Sequence, residues 1–186
     1  MVHLTELWLP VLVSAVVVFI ASSLIHMVLK WHNPDYRKLP NEDAVQAALN
    51  AEKPAPGQYV LPHCMDPKDM GKPEMAQRFT DGPVALVWLK APGMPAMGGT
   101  LAAWFVYALV VAFFVAYLAA AFLPAGTHYL RVFRLVGTAT FLAYAAGGVP
   151  SSIWMGKPWA VTFKEILDGL IYALLSAGVF GWLWPR

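Results

Sequence analysis

Four apolar runs, each long enough to cross a lipid bilayer once, constrain this chain more than any other feature. They cover residues 7–29, 100–123, 129–149 and 163–184, and a polar insert separates the first run from the second. The hydrocarbon core of a membrane requires about twenty consecutive apolar residues per helix. We therefore expect an all-α membrane fold with four transmembrane helices and a small α+β extramembrane insert between helices 1 and 2.

The composition agrees with this architecture and excludes some functions. Of the 186 residues, 59% are hydrophobic and 13% are charged, whereas soluble domains carry about a quarter charged residues. The formal net charge is only +2 and no basic run occurs, so we expect no binding to nucleic acid. A single cysteine, Cys64, excludes an internal disulfide.

We expect three parts along the chain: a first transmembrane helix in residues 1–30, the insert in residues 31–99 and a three-helix transmembrane unit in residues 100–186. In the insert, Asn41 can cap a short helix, and Pro73 can begin another. Residues 57–61 and 84–89 are typical of short strands. A two-strand unit is marginally stable alone in water, so lipid, the span ends or another subunit should support it.

Small residues are frequent in the third and fourth runs, among them Gly137, Gly169, Ala173, Ala177 and Gly181. Small side chains let helices approach closely in lipid. The connection between the second and third runs is so short that these two helices must form an antiparallel hairpin. We therefore expect spans two to four to pack compactly.

Positive charge favours one orientation of the spans. Five basic residues flank one side of the four-span arrangement: Lys30, Arg37, Lys38, Lys90 and Lys157. The other side carries Arg131, Arg134 and Arg186. The positive-inside rule then places the insert in the cytoplasm and both termini in the periplasm. Residues 1–6 contain no Lys or Arg and the first run exceeds the core of a signal peptide, so we expect it to remain as an anchor.

One candidate metal site lies in the insert, at His63, Cys64 and Met65, with Met70 nearby. Imidazole, thiolate and thioether together suit cuprous copper, or zinc with fewer methionines. No second cysteine or paired histidine stands at ligand spacing, and methionine is a common filler of irregular packing. The ligand types are the only support for this prediction.

A second candidate joins His26 and His32, around the inner end of the first span, to Lys164, Glu165 and Asp168 on the fourth. If these span ends meet, His26, Lys164 and Asp168 form an intramembrane polar cluster. Ionisable groups within the bilayer usually mark proton or ion paths.

An interfacial interpretation of the same residues competes with the ion path and is favoured. Residues 162–165, Thr-Phe-Lys-Glu, fit a capping box that would begin the fourth helix at Phe163. Asp168 would then lie in the second turn, where a carboxylate stabilises the positive end of the helix and needs no further role.

Two smaller sites complete the candidates. His26 can serve as an axial haem ligand, but no second histidine is predicted at matching depth, so a haem would be shared with another subunit. Arg131 and Arg134 lie three residues apart near the outer end of the third span. There they can extend to the interface and contact lipid headgroups.

Hydrolase, zinc-protease, P-loop and dinucleotide-binding motifs do not occur, so a self-contained enzyme is not favoured. The segments SSLIHM (22–27), DYRKLP (35–40), SIWMGKPW (152–159) and DGLIYALL (168–175) resemble those of small multi-pass bacterial membrane proteins with no assigned activity. The resemblance implies a bacterial inner membrane and carries over no functional residues.

The leading hypothesis is an accessory or structural subunit of a larger bacterial membrane complex, or a homo-oligomer, in contact with lipid. It follows from the small insert and the lack of a self-contained reaction centre. The alternatives are a metal- or haem-associated redox protein, through copper or a shared haem, and a small ion or solute transporter using the Asp168 region.

Overall fold

The computed structural model describes residues 2–186 and is mostly helical. Within these residues, three helical stretches are long and apolar enough to cross a membrane: Leu4–Leu29, Met97–Phe122 and Tyr129–Trp154. Each has 26 residues, which at about 1.5 Å per residue exceeds the roughly 30 Å hydrocarbon core. These helices indicate a membrane protein.

The first stretch joins three helical types. A 3₁₀ turn, Leu4–Leu7, leads into α1, Trp8–Ser23, and a π-helical segment, Leu24–Leu29, follows without a break. The stretch ends at Lys30, which adopts the left-handed conformation with φ of 53°. A left-handed residue is a common stop signal for a helix, and here it turns the chain back toward the helices.

Residues Lys38–Pro95 form one compact unit. Its helices and strands are, in order, α2 (Glu42–Ala51), β1 (Gly57–Leu61), α3 (Pro67–Met70), α4 (Pro73–Asp81) and β2 (Ala85–Leu89). The two strands pair antiparallel, with Tyr59 opposite Val87. The small sheet is confirmed, and β2 begins one residue later than predicted. Pro62 is the one buried residue of this unit, so the unit has no hydrophobic core.

The other compact unit combines Met1–Arg37 with Ala96–Arg186. Its later helices are α5 (Met97–Phe122), α6 (Tyr129–Ala145), the short α7 (Val149–Trp154) and α8 (Trp159–Trp182). A 3₁₀ turn, Ala146–Gly148, joins α6 to α7.

The predicted fourth crossing is not confirmed, because α8 is not among the three stretches that qualify as spans. Its first half carries Lys164, Glu165 and Asp168. The predicted start at Phe163 is also wrong: α8 begins at Trp159, after Pro158. The Thr162 side chain does not cap the helix but is buried, with its hydroxyl 2.5 Å from that of Ser152.

A stripe of small residues joins α8 to α6. A Cβ atom on Gly169 would lie 2.9 Å from the Cβ of Ala145, and one on Gly137 would lie 3.3 Å from the Cβ of Ala177. Near the other end, a Cβ on Gly181 would lie 2.6 Å from the Tyr129 ring. Across these three pairs the residue numbers rise along α8 and fall along α6. The two helices are therefore antiparallel and in close contact over their length.

Helix α1 packs against α5 and α8. Buried side chains of all four long helices form two apolar clusters, one centred on Val136 and Phe180 and the other on Val18 and Tyr172.

Candidate metal centre

A tight turn after the first span brings His32 and Asp35 back against α8. Trp31 and His32 follow the left-handed Lys30, and a 3₁₀ turn, Asn33–Asp35, then reverses the chain. Pro34 occupies the start of this turn, where its fixed φ suits a helical conformation and its missing N–H is not needed. The turn thereby places the side chains of His32 and Asp35 beside α8, although both residues are far from α8 in the sequence.

The His32 imidazole bridges two carboxylates. Its Nδ1 lies 2.9 Å from Asp35 Oδ2, and its Nε2 lies 2.8 Å from Asp168 Oδ2. An ionised carboxylate only accepts hydrogen bonds, so Nδ1–H donates to Asp35. The Nε2 atom then requires a proton or a metal ion between itself and Asp168.

Asp168 lies deep in the fold. Its side chain is only 6% exposed, and it is the tenth residue of α8, one turn deeper than predicted. Its second oxygen, Oδ1, is buried and has no hydrogen-bond partner among residues 2–186. Buried polar atoms are nearly always paired. This unpaired oxygen is therefore available to coordinate a cation.

His26 reaches the same carboxylate from the first span. Its Nε2 lies 3.9 Å from Asp168 Oδ2, and its ring stacks on that of His32 with centroids 4.6 Å apart. Its Nδ1 lies 3.0 Å from the backbone oxygen of Ser22 and donates to it. The bond fixes the tautomer that leaves a lone pair on Nε2.

Lys164 completes the surroundings of Asp35. Its Nζ donates to Asp35 Oδ1 at 2.5 Å and to the backbone oxygen of Trp31 at 2.9 Å. The hydrogen bond from Lys164 lowers the pKa of the Asp35 carboxyl, and His32 acts in the same direction, while desolvation opposes both. Asp35 therefore stays ionised and holds the His32 ring in place.

Together, His26, His32 and Asp168 form a group whose ligand atoms all lie within 4.8 Å of one another. Neighbouring ligands at about 2.0–2.1 Å from a divalent metal are about 2.8–3.4 Å apart in octahedral or tetrahedral geometry. Movements of about an ångström would give that spacing, and the His26 ring would tilt out of its stack to do so. Its side chain is 50% exposed, which leaves room for this tilt.

Hydrogen bonds outside the ligand set resemble those of known metal centres. A histidine that binds a metal usually donates its other N–H to a carboxylate or a backbone carbonyl. His32 has Asp35 in this role, and His26 has the Ser22 carbonyl. Two histidines and one carboxylate with open positions are typical of non-haem Fe²⁺ sites and of catalytic zinc sites.

Of the predicted cluster of His26, Lys164 and Asp168, the structure places His26 beside Asp168. Lys164 contacts Asp35 and is not part of the group formed by His26, His32 and Asp168. Glu165 does not join the cluster and pairs with Lys157 instead. Asp35 was missed, although its position three residues after His32 and directly after a proline is typical of a tight turn.

The other predicted sites lie elsewhere. In the insert, His63 is exposed, Met65 and Met70 are exposed, and Cys64 donates weakly to the Asp66 backbone oxygen. The part of the chain that the structure describes contains no group of three His, Cys, Asp or Glu ligands there. The copper or zinc site at these four residues stays a prediction.

The two arginines predicted to contact lipid headgroups are near the beginning of α6. Arg131 and Arg134 are both exposed. Neither forms an ion pair with an acidic group in residues 2–186. Their contact with headgroups stays a prediction.

No protein-family model, curated protein or solved structure matches this chain.

Proposed function

We propose that this protein is a membrane metalloprotein that binds a first-row divalent transition metal through His26, His32 and Asp168. The convergence of these three side chains, with the unpaired oxygen of Asp168, is the observation that carries the proposal. Two imidazoles and a carboxylate suit Zn²⁺ or Fe²⁺ and leave positions open for a further ligand. The sequence alone predicts a metal- or haem-associated protein only as an alternative, with His26 as a haem ligand and with metal ligands at His63, Cys64, Met65 and Met70.

Metal analysis of the purified protein tests this proposal. We expect one Zn²⁺ or Co²⁺ per chain after loading and removal of excess ion, and a Co²⁺ absorption spectrum typical of nitrogen and oxygen ligands. In His26→Gln, we expect the affinity for the metal to fall at least tenfold. His26 is half exposed and makes one hydrogen bond, so this change leaves the fold intact.

Cys64→Ser is the matched control, because it removes the predicted ligand in the insert. It should bind as much metal as the wild type. Loss of metal in Cys64→Ser together with full binding in His26→Gln would instead support the His63–Cys64 site. Wild-type protein that binds neither ion would overturn the proposal.

We also infer that α8 is a fourth transmembrane helix. Its 24 residues extend about 36 Å, enough for the hydrocarbon core. It lies antiparallel to α6, which is part of a span, and its ends meet the ends of other spans. Lys164 contacts the turn that follows the first span, and Trp184 donates to Pro124, between α5 and α6, at 3.0 Å.

The proposed setting is the bacterial inner membrane, with the insert in the cytoplasm and the termini in the periplasm. Basic residues that follow the first span and precede the second support this orientation. The metal centre would then lie near the cytoplasmic interface, at the end of the first span.

An accessory role in a larger complex is a second proposal, supported by a different observation. In Lys38–Pro95, apolar side chains such as Val60, Val84 and Trp88 are exposed by 42%, 60% and 66%. A unit with so little burial needs contact with another surface. Extraction in a mild detergent should yield a complex with a second protein or a homo-oligomer, whereas a monomer would contradict this proposal.

A further inference from the structure

A groove lies between the first span and α5, and His26 of the proposed metal centre forms part of its wall. It has a volume of about 290 Å³ and an almost wholly apolar surface. Its walls include Ser22, Ser23, His26 and Met27 on one side and Thr100 and Trp104 on the other. Both walls belong to helices that are long and apolar enough to cross a membrane.

The hydroxyl and indole groups of these walls are satisfied within the protein. Ser22 and Ser23 donate to the Phe19 backbone oxygen, and Thr100 donates to that of Ala96. Trp104 donates to the Ser22 hydroxyl at 2.7 Å. These donor hydrogens are therefore used within the protein, and the surface between the walls is almost wholly apolar, which favours an alkyl chain.

His26 is the exception. Its Nδ1 is engaged by Ser22, but its Nε2 makes no hydrogen bond within residues 2–186 and faces Asp168 from 3.9 Å. The same half-exposed side chain lines the groove. A molecule in the groove would therefore contact the side chain that we propose as a metal ligand.

We propose that the groove binds a single-chain carboxylate amphiphile, of the long-chain fatty acid class, with its carboxylate on the open side of the metal. This inference rests on the proposed function. With a divalent ion present, the charges of the ion and Lys164 exceed those of Asp35 and Asp168, so the centre attracts an anionic headgroup. Ligand pockets usually have volumes of about 300–1,000 Å³, and a groove near the lower limit suits one chain better than two.

Quenching of tryptophan fluorescence by dibromostearate tests the inference, because Trp104 forms part of the wall. Wild-type protein loaded with Zn²⁺ in nanodiscs should show saturable quenching, and Trp104→Phe should lose that component. Removal of Zn²⁺ should weaken the apparent affinity for dibromostearate at least tenfold. Dibrominated stearyl alcohol, which has a neutral headgroup, should show no dependence on Zn²⁺.

Thr100→Phe fills the groove from α5 without removing a metal ligand and should weaken binding of dibromostearate at least tenfold. Val106→Phe is the matched control: Val106 lies on the same helix, is 56% exposed and does not line the groove. Ser23→Leu fills the opposite wall and replaces Thr100→Phe if that variant does not fold.

Metal content, measured before lipid is added, separates the two proposals. If wild-type protein binds no Zn²⁺, both fail. If it binds Zn²⁺ but quenching is not saturable, is equal in Thr100→Phe and Val106→Phe, or is unchanged when Zn²⁺ is removed, only the amphiphile inference is overturned.

Discussion

Asp35 accepts hydrogen bonds from two donors, Lys164 on α8 and His32 in its own turn. Lys164 and His32 each donate to one of its oxygens, and its side chain is only 8% exposed. Hydrogen bonds between charged groups are stronger than neutral ones, and a buried carboxylate left without partners is unfavourable. The position of His32 beside Asp168 thus depends on the charge of Asp35.

Stability should depend on this charge in acid. Because the folded state lowers the pKa of Asp35, its ionised form stabilises the fold above the pKa of an unfolded aspartate, about 3.9. That contribution is lost as pH falls through the lower folded value. In detergent, Asp35→Asn should lower the melting temperature by its full amount at pH 6, and by progressively less below about pH 4.

Glu42→Gln is the control for this pH dependence. Glu42 pairs with Lys38 at 3.4 Å, but both side chains are more than half exposed, so little stability is expected from the pair. An Asp35→Asn difference that stays constant down to pH 3, or a Glu42→Gln difference of equal size, would contradict the role of Asp35.

At the scale of elements, contact between α6 and α8 depends on small residues four apart. Gly169, Ala173, Ala177 and Gly181 recur at this spacing on α8, and three of them meet Ala145, Gly137 and Tyr129 on α6. In lipid, the burial of apolar surface does not drive helices together, and close backbone approach stabilises a helix pair through van der Waals contact instead. Because Asp168 directly precedes Gly169, the same contacts also determine the position of Asp168 along α6.

Gly169→Ala should destabilise the protein. Its new Cβ would lie 2.9 Å from the Ala145 Cβ and 3.1 Å from the Ala145 backbone nitrogen, so the helices would have to move apart. Overpacking of this kind costs about 1–3 kcal/mol. The free energy of unfolding in mixed detergent micelles measures the effect, and metal affinity should fall with it because Asp168 moves.

Gly178→Ala is the matched control on the same helix. Its new Cβ would meet only the Tyr129 hydroxyl, at 3.8 Å, which is an ordinary contact. Equal stability of Gly169→Ala and Gly178→Ala would show that the stripe does not hold α6 and α8 together.

At the scale of the whole molecule, the proposed orientation can be measured with the one native cysteine. Cys64 lies in the insert and is partly exposed. In intact spheroplasts, a membrane-impermeant maleimide should leave Cys64 unlabelled, because a cytoplasmic insert is protected by the membrane. Lysis should then allow labelling.

Ala125→Cys in a Cys64→Ser background provides the opposite arm. Ala125 is exposed between α5 and α6, on the side proposed to face the periplasm, so it should be labelled in intact spheroplasts. Labelling of Cys64 without lysis would reverse the orientation, and labelling of both positions from outside would contradict the number of crossings between them.

The amino-acid sequence alone determined the long apolar helices and the small sheet, because both depend on local composition and periodicity. Uninterrupted apolar runs form helices in lipid, since every backbone group must be satisfied within the segment. Short runs rich in β-forming residues predicted the two strands nearly to the residue. The start of α8 was predicted wrongly, because Thr162 and Glu165 matched a local capping motif but have partners outside it, Ser152 and Lys157.

Only the tertiary structure decided the centre. The sequence predicted that His26, Lys164 and Asp168 would form a cluster, but not which atoms would meet. His32 contacts Asp168 across 136 positions, and Lys164 contacts Asp35 across 129. No local pattern encodes such contacts. They follow from two features of the fold. The left-handed turn at Lys30 returns the chain toward α8, and the close contacts of the α8 glycines determine the position of α8 along α6. Together these features bring two imidazoles to one buried carboxylate.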